Sequence, residues 1–469
     1  MRGRVSRVRV PAALLAVLIS ALVVGATPLP AAASGPTIYI GAGGAGGGGS
    51  CAGPDFGTNG GDATPVFASA YAEIVTSGSI FVCEGTYDFA TNPETELGGR
   101  SITIKGAGRT TTHLSGGNVR RIFNMGDETP LGSSLTLRDL HITEGGGNAG
   151  EGAGAVYVEN VALAISNVTF DNSGVTVDGS NGGILTVIDG SATIKRSAFL
   201  GGTAAGLGGA IYVDDSTLTV MGSQFSENNA ALGGAILATG SSVMVRSSRF
   251  ESNVALGHDG AIGVYDGSLE VRSSTFDDNE ATLEYGGAIH TMDSDVIIDS
   301  SRFRQNDAAA NGGAVDLCAD SSPYRVTVRN SLFSDNTAGG AGGGLGIFCV
   351  GFAEALVTGN RFLHNVAGTD GGGVWISAWE TQLKKNRFDR NEATSHGGGA
   401  AIWKQGAWTP LKMQALRGNL YRTNSADCGG GIAIDDGDED LALLLSRSSR
   451  FTDNTATDAS TERVCITDF

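Results

Sequence analysis

The sequence predicts a parallel β-helix, a solenoid of stacked β-coils, and three observations predict it. A six-residue pattern (aromatic, two variable residues, Asn, one variable residue, Ala) recurs nine times. It reads FSENNA from Phe225, FESNVA from Phe250, FDDNEA from Phe276, FRQNDA from Phe303 and FSDNTA from Phe333. It continues from Phe362, Phe388, Tyr421 and Phe451, at spacings of 25 to 33 residues. A glycine-led apolar segment follows most copies, as in GGAILA from Gly233, DGAIGV from Asp259, GGAIHT from Gly286 and GGAVDL from Gly312. Finally, each unit is too short for a helix. Residues 208–230 hold three short β-type runs, GGAIYV, TLTVMGS and SQF, separated by Asp, Ser and Asn turns.

Repeats of this period are stacked units, each too small to bury its own apolar face. Coils stacked at about 4.8 Å turn identical positions into columns. The Phe column is expected to stack inside. The Asn column is expected to turn the chain and bond along itself, as amide ladders do. Ala suits a tight curve, and the paired Gly a corner. Phe170 and Phe199 look like degenerate earlier units.

Composition bounds the function. The 469 residues include 73 Gly and 10 Pro, carry a formal charge of −18, and are 41% hydrophobic and 17% charged. That is too apolar for general disorder, lacks the collagen period, and is too acidic for nucleic-acid binding through phosphates. Arg2, Arg4, Arg7 and Arg9, an apolar run from Ala12 to Ala26, Pro28, Pro30 and Ala31–Ala33 form a secretory signal peptide over residues 1–33. Its removal takes the formal charge to −22. No later stretch reads as membrane-spanning, so a secreted or cell-surface location is expected. Six cysteines suit that compartment. They fall into local pairs, Cys51–Cys83, Cys318–Cys349 and Cys428–Cys465. Cys318 and Cys349, each counted six residues from a glycine (Gly312 and Gly343), are expected at one point of consecutive coils.

The FxxNxA…GGAI pattern over about residues 200–465 resembles the polymorphic outer membrane protein repeats first named from chlamydial surface proteins. Residues 62–116, with VFASAYAEI, SIFVCEGTY and ITIKGAGRTTTHLSGG, look like the opening of pectin-lyase-fold proteins. There Thr64-Pro65 suits a helix start, and Val66, Phe67, Ala70, Tyr71 and Ile74 share one face. This helix is expected to cap the solenoid, pinned by Cys51–Cys83. The resemblance implies a right-handed coil and an adhesive or interaction role at a bacterial surface. The membrane barrel that follows such passengers is not expected here. The fold class is therefore all-β: a single-stranded right-handed parallel β-helix of about 13 coils with a short N-terminal capping helix. Residues 34–100 form the N-terminal strand, Gly-rich loop and cap, and residues 101–469 the β-helix.

Fold does not fix function. The leading expectation is a monomeric binding or structural module with a glycan or protein partner; the alternative is a pectate lyase- or polygalacturonase-type enzyme. Asp215, Asp266 and Asp293 share one phase of the repeat and are the catalytic candidates, with an Asp-containing turn as the preferred reading. Asp436, Asp438 and Asp440 alternate in an acidic run that could wrap Ca²⁺, although a solvated loop suits them better. Trp375, Trp379, Trp403 and Trp408 crowd two consecutive coils. They form either a platform for sugar rings or an apolar plug. His258, His290, His364 and His396 fall in different phases and read as turn residues.

Overall fold

The computed structural model describes residues 35–467 except 48, 92–94, 127–131, 148–151, 176–179, 321–323, 349–351, 379–380, 404–415, 436–447 and 458–463. The chain winds as a right-handed parallel β-helix. Among the described residues three parallel sheets have fourteen strands each, and a fourth has eleven strands of two residues. One coil runs through Ile211–Asp214, Thr217–Met221, Gln224–Ser226 and Asn229–Ala230 before the next begins at Ile236–Thr239. From Gly174–Val175 onward the repeat thus has four strands per coil where the sequence reading expected three. The fourth is the Asn-x-Ala step itself, and two residues carry no alternation to read.

The Phe column stacks as expected. From Phe199 to Phe451 successive ring centres lie 4.7–5.1 Å apart, with interplanar angles of 2–16°. Phe170 joins below Phe199 at 4.8 Å, and below it Ile142 and Leu114 take the same rung. The asparagines make a continuous ladder. Asn306 donates its backbone N–H to Oδ1 of Asn336 (3.0 Å) and its Nδ2 to the same oxygen (2.9 Å) and to the Phe276 carbonyl (3.0 Å). Its own Oδ1 accepts from the backbone N–H and Nδ2 of Asn279. Every side-chain donor and acceptor is satisfied although the residue is buried.

A second ladder, not read from the sequence, lies two residues before the Phe column. The backbone N–H of Ser248 donates to Oγ of Ser274, that of Ser274 to Ser301 and that of Ser301 to Ser331. From Asn360 the rung changes to asparagine: Ser331 donates to Asn360, Asn360 to Asn386 and Asn386 to Asn419. Both residue types present a side-chain oxygen at a turn while leaving the backbone free to pair.

The N-terminal cap forms as expected. The helix Thr64–Ala72 has Pro65 in its first turn and buries Phe67, Ala70 and Tyr71. Asp62 Oδ1 accepts from the N–H groups of Thr64 and Ala90, and Arg100 donates to the Tyr71 and Ile74 carbonyls at the other end. Phe67 meets Phe89 at 5.2 Å, closing the end of the core. The Thr37–Gly41 and Ser77–Val82 strands already pair in the solenoid's first sheet.

Cys51–Cys83 and Cys428–Cys465 are disulfides, each with Cα atoms 5.6 Å apart. Cys318 is disulfide-bonded, and Cys349 lies outside the described residues. The register expected for that pair is one residue off, because Cys318 stands opposite Phe348. The next coil has three glycines where Gly312-Gly313-Ala314 stood. Gly342, at φ 73°, not Gly343, matches Gly312 at φ 65°.

Asn306→Ala should destabilise the central coils by roughly 1–3 kcal/mol, since it removes the acceptor of the buried Asn279 N–H and Nδ2 and the side-chain donor to the Phe276 carbonyl. Arg302→Ala, exposed on the same coil, should stay within about 0.5 kcal/mol. Denaturant melts followed by hydrogen exchange over residues 276–340 would check this; equal effects would contradict an inward ladder.

Candidate functional site

The strand after each glycine corner alternates. Ile and Val positions point into the core, and the residue between them points outward. In register, the outward column runs Tyr212, Leu237, Gly263, His290, Asp316, Gly346, Trp375 and Ala401. Outward here does not mean exposed. The loop between the Asn-x-Ala step and the next glycine corner folds back over this column, and His290, Asp316 and Trp375 are all buried.

Here the wall holds a sealed group of ionisable side chains. His290 donates from Nδ1 to Asp259 Oδ1 at 2.9 Å, and the other Asp259 oxygen accepts from the Tyr265 hydroxyl at 2.8 Å. His290 Nε2 lies 3.9 Å from Asp316 Oδ2. The side chains of Asp259, His290 and Asp316 are 0%, 3% and 2% exposed. Toward the surface, His258 stacks on His290 at 5.0 Å and on Tyr285 at 5.1 Å, and its Nε2 reaches Glu284 at 2.5 Å.

Local sequence explains how the group fits. Asp259 replaces the corner glycine and keeps its left-handed backbone, φ 68° against 65–67° at Gly233 and Gly286. A non-glycine residue there costs on the order of 1 kcal/mol or more. A Cβ at Gly263 would collide with the Asp259 carboxylate, and one at Gly346 with Asp316 Oδ1. Each carboxylate therefore occupies space that a neighbouring glycine leaves free. The overlying loop is enlarged at this point: four residues, Thr282–Tyr285, separate Ala281 from Gly286, against three in Leu256–His258 and Ala309–Asn311. Leu283 and Leu256 are left exposed on it.

The electrostatics are those of a proton-holding group. Burial, reinforced by Asp259, pushes Asp316 up to about 6 against the pull of His290. Burial opposes the charge on His290, but Asp259, with Asp316 and Glu284, wins and raises it. Burial and the neighbouring His290 lower His258, against Asp259 and Glu284. Burial and Asp259 raise Tyr265. Asp316 Oδ1 has no hydrogen-bond partner among the described residues. The trio can hold and pass a proton, but no substrate reaches it while the loop is in place.

Sequence reasoning missed this group and misassigned two histidines. His258 and His290 are not separate turn residues: one is a loop residue, the other mid-strand, and folding stacks them. The legible signal was an Asp in place of the glycine at 259, with His290 and Asp316 each four residues past the next two corners. His364 does sit in a left-handed turn, φ 54°, and His396 Nδ1 bonds Asp370 at 2.8 Å.

Asp215, Asp266 and Asp293 occupy one turn column at φ 43°, 54° and 50°, shared with Asp189 and Gly240. Asp293 Oδ1 accepts the Asp320 N–H. Trp375 is buried beneath Phe348, ring centres 4.7 Å apart, and packs with Ala341, Ala401 and the partly buried Trp403. Trp379, Trp408, Asp436, Asp438 and Asp440 lie outside the described residues. Among the described residues no three His, Cys, Asp or Glu side chains are grouped to hold a metal, and no helix is long and apolar enough to cross a membrane.

Residues 131–303 and 234–414 match the family model described as the right handed beta helix region, which together is more than half of the chain. The chain belongs to this right-handed β-helix family. No curated protein matches it. Among solved structures it is similar to the catalytic domain of a GH87 α-1,3-glucanase, at 14% identity and TM-score 0.36. That match covers 80% of this chain and 63% of the glucanase domain. It is also similar to the A-module of a mannuronan C-5 epimerase from Azotobacter vinelandii, at 14% identity and TM-score 0.33, covering 86% and 94%. A mannuronic acid specific polysaccharide family 6 lyase from human gut microbiota matches at 10% identity and TM-score 0.38, covering 93% and 91%.

The sealed group predicts an unusual pH dependence. Asp316 and His290, both raised, take up protons on folding, so their contribution favours the fold at low pH and is lost as pH rises through about 6 and beyond. His258, lowered, acts in the opposite sense but is one group against two. The lowered carboxylates Glu251, Glu270 and Asp299 weaken the fold only as pH falls toward 4 and below. Melting temperature should therefore rise from pH 8 to pH 5, and His290→Gln together with Asp316→Asn should flatten that rise. A wild-type profile that falls over this range would contradict the assignment.

Proposed function

We propose that this β-helix is an exported module that binds a neutral glycan, in an adhesin-like role at the cell exterior. One observation carries the reading. Phe348, 41% exposed, lies on Trp375 with Trp403 beside it, and the Asp370–His396 pair borders the patch, with His396 6.4 Å from the Trp403 ring. An exposed aromatic face flanked by fixed polar groups suits a sugar ring, apolar on its face and hydroxylated at its edge. Phe348 is the solvent-facing member, and Trp375 is its support.

Charge selects the class of glycan. The protein is strongly acidic, and Asp278, Glu280, Asp307 and Asp335 line a depression on another face. Burial and Glu280 raise Asp307 there. A polyuronate would be repelled along such a surface; a neutral chain is not. The disulfides fit an oxidising exterior, and the resemblance to surface-passenger repeats points the same way.

The second reading, a polysaccharide-active enzyme, is favoured by the Asp259–His290–Asp316 group, because perturbed acids and bases gather at active sites. It ranks lower because all three side chains are sealed. Ca²⁺ remains a proposal for the 436–440 run alone.

Tryptophan-fluorescence titration with cellohexaose, laminarihexaose and xylohexaose should give saturable binding to at least one, weakened about tenfold or more by Phe348→Ala, the loss of one stacking contact. Binding to none of them, or equal binding by Phe348→Ala, would overturn the reading. New reducing ends or unsaturated products abolished by Asp316→Ala, Asp266→Ala or Asp293→Ala would establish the enzyme instead.

A further inference from the structure

Near the N-terminal end, two histidines face outward on neighbouring rungs. His113 on the strand Thr112–Arg120 and His141 on His141–Gly145 are register partners, and the next rung is Thr169. The adjacent positions Leu114 and Ile142 are buried in the core, so the imidazoles stand on the outer face. Their ring centres are 4.8 Å apart, but the rings are tilted by 54°. The Phe column inside the same wall has the same spacing with its rings nearly parallel, so the tilt is not imposed by the ladder.

Hydrogen bonds settle which nitrogen of each ring carries the proton. His113 Nε2 lies 3.3 Å from the Thr110 carbonyl, and His141 Nε2 lies 2.8 Å from Asp171 Oδ2. A carbonyl and a carboxylate only accept, so Nε2 carries a proton in both rings. In the neutral imidazole Nδ1 is then the lone pair. A backbone carbonyl or carboxylate behind one ring nitrogen is the arrangement that orients metal-binding histidines. The spacing agrees: with metal–nitrogen bonds of about 2.0 Å, two imidazoles on one tetrahedral or square-planar ion have ring centres roughly 4.5–5 Å apart. The second Asp171 oxygen is buried and has no hydrogen-bond partner among the described residues. This carboxylate stands behind His141, where its negative charge would stabilise a cation on the far side of the ring.

We propose that His113 and His141 form a two-nitrogen site for a borderline transition-metal ion, Cu²⁺ most tightly and Zn²⁺ or Ni²⁺ less so, following the usual order for nitrogen donors. Asp171 is the positioning residue behind His141. Water or a ligand's own donor atoms complete the coordination, since the protein supplies two. The site is independent of the glycan reading and lies on a different strand set from the aromatic patch.

The test uses tag-free mature protein, with Cu²⁺ and Zn²⁺ as probes in equilibrium dialysis and the Cu²⁺ complex in electron paramagnetic resonance. One saturable site with coupling to two imidazole nitrogens is expected. His113→Gln and His141→Gln should each weaken Cu²⁺ binding by about tenfold or more, and Asp171→Asn by about tenfold. Asp171→Glu should restore much of that loss, which a purely structural role would not explain. Unchanged affinity in the His113→Gln/His141→Gln double variant would overturn the proposal, as would absence of binding at millimolar ion. Imidazole nitrogen NMR of the unaltered protein gives a readout free of folding artefacts: an Nδ1–H tautomer at either histidine would also overturn it.

Discussion

The asparagine ladder is the constraint on which the rest of this wall depends. From Asn228 to Asn454 a buried side chain at one turn of every coil satisfies an N–H of the coil before it and the carbonyl of the column aromatic on that same preceding coil. A slip of one residue at this turn would orphan several buried donors at once, each costing about 1–3 kcal/mol. Register at that turn is thereby fixed, and everything in phase with it follows: the Phe stack three residues before, the Ala two residues after, and the glycine corner beyond. The serine ladder, with Asn360, Asn386 and Asn419 continuing it, repeats the device at a second corner.

A wall held in register from within leaves its outward column open to variation, and the unusual chemistry of the molecule collects there. Asp259, His290 and Asp316 sit where other coils have Gly, Leu or Ala, and Trp375 stands two rungs beyond Asp316 in the same column. Each departure has its accommodation in a small residue beside it. Gly263 makes room for Asp259 and Gly346 for Asp316, and the small side chains of Ala341 and Ala401 pack with Trp375. Loops that vary in length over this column decide what is sealed and what is exposed. The long Thr282–Tyr285 loop closes over the acid group, whereas Phe348 stays open to solvent.

The fold was legible because its rules repeat. Nine copies of the aromatic–Asn–Ala pattern placed the Phe stack, the Asn turn and the coil boundary, and Thr64-Pro65 with Phe67 and Tyr71 placed the capping helix. The second ladder was less uniform, Ser two before most of the aromatics and Asn before Phe362, Phe388 and Tyr421, and both residues are common in turns, so the position carried no signal alone. The fourth strand was invisible because two residues have no periodicity. The register of Cys318 failed where a glycine triplet offered two starting points. The site was far less legible, because it is made of exceptions to the repeat. An Asp in a glycine position reads as a turn residue until the left-handed corner is seen to aim it at His290. His258 and His290 seemed out of phase because a loop residue and a strand residue meet only through the fold of the loop. Phe348 lay outside the tryptophan cluster that drew attention to the patch.

The most direct measurement of the central claim is native-state hydrogen exchange at the backbone N–H groups of Asn253, Asn279, Asn306, Asn336 and Asn365. These amides donate to a side-chain oxygen of the next coil, not to a backbone strand partner. If the buried ladder sets the register, they should exchange as slowly as the amides of the Phe column beside them, through the same cooperative opening. Exchange at the rate of unprotected amides, far faster than that of the Phe column, would show that the ladder does not hold the wall.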